Sequence, residues 1–100
     1  MNIIDTWIDK VKTEDCNSLA AGVRKMAGDL KIKIVPSHIY DWRRGDRAIP
    51  PFIFNYMMDD VIVSLVRKSK KMTIEDQARY ILNNTTIPER RKLRVETDGR

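Results

Sequence analysis

The side chains of this sequence that could do chemistry gather in one stretch, Val35–Pro51. At helical spacing Ser37, Tyr40, Asp41 and Arg44 recur in three- and four-residue steps and share a polar side, with His38 in the same first turn. These are hydrogen-bonding groups of the kind that read base edges. Arg44 could bind guanine through two hydrogen bonds, and Asp41 could accept from a cytosine amino group. Ser37, His38 and Tyr40 could reach base edges or phosphates. Arg43 and Arg47, with Lys31 and Lys33 behind them, supply positive charge for phosphate contact. Plainer roles stand beside two of these: His38 as a solvent-facing first-turn residue, and Asp41 as an ion-pair partner of Arg44 or a nearby lysine.

Other chemistries lack their parts. His38 is the only histidine, so a histidine-based metal site or catalytic triad has no second member. Asp59 and Asp60 are neighbours on a helical stretch and point in different directions, unlike an acid/base dyad. No glycine-rich phosphate loop is present. The chain is therefore expected not to be an enzyme, to carry no cofactor and to take no small-molecule ligand. A formal charge of +5 and a pI near 9.6 favour an anionic partner. Cys16 is the single cysteine, which fits a reducing, cytoplasmic setting and leaves no disulfide framework. Asp5 and Asp9 interrupt the apolar stretch near the N-terminus, so no signal peptide is expected, and no run reaches membrane-spanning length.

One hundred residues allow one domain with one core, and its elements must position the polar stretch. Pro36 suits a helix's first turn and Gly45 its left-handed stop, which bounds a helix over Pro36–Arg44. Ile39 and Trp42 lie three apart on its apolar side and should be core residues, with Ile49 beyond. Before it, residues Asn2 to about Thr13 form an amphipathic pattern through Ile3, Ile4, Trp7, Ile8 and Val11. Asn17 or Ser18 can cap a second helix, Leu19–Leu30, in which a glycine can permit close packing. Lys31–Ile34 reads as a short extended turn. From Pro51 to about Lys68 runs the longest and widest apolar pattern, including Phe52, Ile53, Met57, Val61 and Leu65. Its basic end, Arg67–Lys71, suits either the helix dipole or phosphate. Thr73 begins a further helix over Ile74 to about Asn83. The expected fold is all-α: a compact bundle of about five helices over residues 1–86, followed by a basic, mobile tail over residues 87–100.

The string Ile39-x-x-Trp42-Arg43-Arg44-Gly45-x-Arg47-x-Ile49-Pro50-Pro51 resembles the end of the helix-turn-helix in small Cro-like phage regulators, among them the YdaS-type proteins of prophages. The resemblance spans roughly Ala20 to Pro51. It implies a lambda-repressor-like helical domain whose second motif helix, here Pro36–Arg44, enters the DNA major groove. Where the family has Leu-Gly-Val-Ser, this chain has Leu30-Lys31-Ile32-Lys33-Ile34-Val35-Pro36, so a longer turn is expected. The resulting expectation is a phage- or prophage-encoded transcription regulator that binds an operator in double-stranded DNA. It would act as a homodimer, with a tetramer left open, and the Pro51–Lys68 helix and the helix after it would provide self-association. The competing expectation is a protein-interaction module, such as an antirepressor or antitoxin-like partner, with an incidental basic surface.

Overall fold

Each described helix starts where a side chain accepts from an orphan backbone N–H or a proline removes one. A computed structural model describes residues 1–91. Helix α1 spans Ile3–Thr13, with the Asn2 side chain accepting from the Asp5 N–H at 2.8 Å. Helix α2 spans Leu19–Leu30, capped by the Ser18 hydroxyl on the Ala21 N–H. Helices α3, Pro36–Arg44, and α4, Pro51–Lys68, both open on proline, which loses no hydrogen bond in that position. Helix α5, Ile74–Asn83, starts at Thr73, whose hydroxyl accepts from the Asp76 N–H. The protein is all-helical: among the described residues the only β feature is an isolated bridge between Asn2 and Thr86. None of the described helices is long and apolar enough to cross a membrane.

The core is one cluster. Helix α1 contributes Ile3, Ile4, Trp7 and Val11, and α4 contributes Ile53, Met57, Val61 and Leu65; α2 adds Val23 and Met26, and α3 adds Ile39 and Trp42. The most extensive helix pair is α1 with α4; α2 and α3 pack on α1 and on each other, and α5 packs on α4. Buried Gly22 lets α2 approach α1, because a Cβ there would come within 2.8 Å of Val11 Cγ1. Polar groups pin α1 to α4. The Trp7 indole N–H donates to Asp60 at 2.8 Å, and Lys10 bridges Asp60 at 2.7 Å and Asp15 at 3.1 Å.

Between α2 and α3 the chain turns without a glycine. Lys31 takes the left-handed conformation itself, at φ 56° and ψ 42°, and its N–H closes the end of α2. Gly45 takes the same region, at φ 80°, to end α3.

The C-terminal segment departs from expectation. After α5 the chain returns across the start of α1: the Ile3 N–H donates to the Thr86 carbonyl at 2.8 Å, and the Thr6 hydroxyl to the Asn84 carbonyl at 2.6 Å. Residues 87–91, expected to begin a mobile tail, instead form a strap over the turn that ends α3. The Arg91 N–H donates to the Gly45 carbonyl at 2.8 Å, and Pro88 is buried. The physical reason lies at Gly45, where a Cβ would collide with the Glu89 carbonyl. The rest of the expected tail lies outside the described residues.

This geometry separates two glycines of the chain. Gly45→Ala should destabilise the protein by at least about 1–2 kcal/mol, the cost of a left-handed residue bearing a Cβ. Gly28, in a helix and with open space around it, should be stabilised by about 0.5–1 kcal/mol on change to Ala. Urea unfolding of both variants checks the sign of each effect.

Candidate nucleic-acid interface

Helix α3 is held by its back. Ile39 is fully buried, Trp42 is 8% exposed, and Ile49 packs against the same core cluster. That burial turns the opposite side of the helix outward. Ser37, Tyr40 and Arg44 are exposed there and Asp41 is half-buried, so four of the predicted base-contacting residues share one face.

His38 does not join that face. It lies half-buried on the flank, its ring centroid 6.0 Å from that of Trp42. Its backbone N–H donates to the Val35 carbonyl at 3.0 Å, and its imidazole Nδ1 accepts from the Val35 N–H at 3.3 Å. Val35 has no side-chain acceptor to cap α3, and His38 closes the first turn in its place. His38 therefore closes the first turn of α3, a role that neither the base-contact expectation nor the solvent-facing one included.

The predicted phosphate contacts divide as well. Lys31 and Lys33 are exposed and pair with no carboxylate among the described residues. Arg43 sits on the flank toward α1, its Nε 2.6 Å from Asp5 Oδ1. Arg47 is the most open of the three arginines, its Nε 3.7 Å from Asp41 Oδ2. Arg44 is held from two sides: Nη2 donates to Asp41 Oδ1 and Nε to Asp46 Oδ2, each at 2.9 Å. Asp46 also receives Arg91 Nη1 from the strap, at 3.1 Å.

Asp46, Arg91 and Asp5 went unpredicted. Asp46 carried a signal, two residues beyond Arg44 at the end of a helix, whereas the other two are brought in by tertiary packing. The Arg44 hydrogen bond, opposed by desolvation and helped by the charges of Arg91 and Arg44, holds the Asp46 carboxyl below its ordinary pKa. What stability this adds is present above the carboxyl's unfolded pKa and is lost as the pH falls through the lowered folded value.

Each of these pairs lies at the surface, where an ion pair contributes only about 0–1 kcal/mol. A group offering better-placed acceptors can therefore displace the carboxylates at little cost. Among the described residues no group of His, Cys, Asp and Glu is placed to hold a metal ion. Comparison with known proteins finds no matching family model, no matching curated protein and no matching solved structure.

Two variants separate the inward and outward roles. His38→Ala should cost about 0.5–2 kcal/mol, the range for loss of a cap. Arg44→Ala should stay within about 0.5 kcal/mol of the parent, as surface positions do. Parallel chemical denaturation measures both.

Proposed function

We propose that this protein is a sequence-specific DNA-binding transcription regulator, with α2 and α3 acting as a helix-turn-helix and α3 entering the major groove. The observation that carries this reading is the two-sidedness of α3. Buried Ile39 and Trp42 fix the helix, while Ser37, Tyr40, Asp41 and Arg44 present donors and acceptors together on the outside. Arg43 and Arg47 at the end of α3 and Lys31 and Lys33 in the turn before it are exposed cations available to phosphate, and phosphate contacts position a reading helix while base contacts specify its site. The resemblance of the Ile39–Pro51 string to Cro-like phage regulators supports the same reading and a phage or prophage origin. The protein would act in the cytoplasm by occupying an operator.

Selection of bound sequences from a random DNA pool tests this directly. The expected product is one enriched motif with a palindromic centre. Enrichment of no motif would overturn the reading. On the selected site, Arg44→Ala should weaken binding by about 1–3 kcal/mol, roughly five- to 150-fold, the worth of one good base contact.

One reading helix covers only a few base pairs, so two copies are needed to reach two half-sites. Helix α5 provides a surface for pairing with a second copy. It has no fully buried residue, and Ile74, Ala78 and Leu82, spaced four apart, form an exposed apolar stripe. Ile74 is 85% exposed and Leu82 68%, and such a stripe is characteristic of an interaction surface. Sedimentation should find a dimer, and Leu82→Glu should shift it to monomer with the helical content retained. A wild-type monomer at micromolar concentration would instead favour a different protein as the occupant of this stripe.

A further inference from the structure

The pairing around Asp46 bears on how this face would choose its DNA, an inference that rests on the DNA-binding reading above. Asp46 lies in the turn closed by Gly45 and receives two guanidinium groups, Arg44 from α3 at 2.9 Å and Arg91 from the strap at 3.1 Å. We propose that Asp46 is a specificity-determining residue. It holds Arg44 off phosphate, so that the arginine is released in full only to a site offering a better acceptor.

Three features support this. First, Arg44 and Arg91 are about half-exposed and Asp46 is itself partly exposed, with side-chain values of 49%, 58% and 30%. The pairs stand where solvent and DNA can reach them, and they can exchange. Second, the carboxylate already offers Arg44 the charge and hydrogen-bond geometry that a phosphate would offer. A randomly placed phosphate therefore gains little by displacing it, whereas a guanine edge fixed by its neighbours supplies two acceptors in the plane of the guanidinium.

Third, Asp46 has a second cation. When Arg44 leaves for DNA, Arg91 stays on the Asp46 carboxylate, and Arg47 remains 3.7 Å from Asp41, the other carboxylate that Arg44 gives up. The strap is positioned for that task by backbone contact, through the Arg91 N–H on the Gly45 carbonyl, and not by the ion pair alone. An aspartate carboxyl is ionised at neutral pH in any setting of this kind, so the restraint operates there.

The test uses the full chain and a duplex of random sequence, with affinity measured over a salt series. Asp46→Asn keeps the side-chain size and the backbone bond from residue 46 to the Asp41 carbonyl. Asp46→Ser serves as a second variant in case the first fails to fold. Glu75→Gln on α5 makes the same change in net charge away from the face. Each further phosphate neutralised adds about 0.9 to the steepness of the log–log salt dependence. Removing the Asp46 carboxylate frees Arg91 and leaves Arg44 only its Asp41 partner; it should steepen the dependence by about 0.9–1.8 and tighten random-duplex binding roughly three- to tenfold at low salt. Glu75→Gln should leave both unchanged.

If Asp46→Asn and Asp46→Ser match the wild type while all three bind DNA, Asp46 has no such role and the DNA-binding reading still stands. If Glu75→Gln tightens binding as much as Asp46→Asn, only net charge matters and the assignment fails. If the wild type and every variant ignore the duplex at low salt, the DNA-binding reading itself falls, and this inference with it.

Discussion

Burial of one indole and one isoleucine governs the candidate interface. Helix α3 has nine residues, far fewer than a helix needs to persist alone in water. It exists because Ile39 and Trp42 remove their apolar surface from water against α1 and α2, each burial contributing about 1.5–3 kcal/mol. The same burial fixes the rotation of the helix about its axis. That rotation puts Arg44 outside and Arg43 on the flank beside Asp5, and it brings the His38 ring, tilted, to 6.0 Å from the indole. Interior packing and exterior chemistry are thus two views of one orientation.

The electrostatics of this face differ from what a formal charge of +5 suggests. Net charge describes the field at a distance, but close to α3 the guanidinium groups are answered by Asp5, Asp41 and Asp46. Lys31 and Lys33 face solvent without such partners among the described residues. The surface therefore combines freely solvated ammonium groups, suited to long-range attraction, with restrained guanidinium groups, suited to directional hydrogen bonding. This division follows the chemistry of the two side chains.

The helices were legible because their signals are local. Ser18 and Thr73 as caps, Pro36 and Pro51 in first turns and Gly45 as a stop each act within a few residues of the boundary they mark. The 3.6-residue period of Ile53, Met57, Val61 and Leu65 likewise needs no tertiary information. What escaped the sequence depends on distant partners. Asp5 meets Arg43 only after α1 and α3 have packed, and Arg91 meets Asp46 only after the chain has turned back from α5. The strap itself, residues 87–91, carries no periodic pattern, and it is held by backbone groups and by the absence of a side chain at Gly45. Lys31 shows the limit of residue preference: an unfavourable left-handed conformation is accepted where the turn requires it, even without glycine.

Helix α5 is the least anchored of the five, with no side chain fully inside the core. Segments of that kind open first in native-state fluctuations, well below the free energy of global unfolding. Because residues 87–91 follow α5 in the chain, lifting the helix would draw the strap away from α3 while the remaining helices stayed folded. Slow amide exchange in α1 and α4 beside rapid exchange in α5 would mark such a partly open form. The environment of Arg44 would then depend on an order–disorder equilibrium at the far end of the fold, and a partner that binds the docked α5 better than the lifted one would be felt at α3.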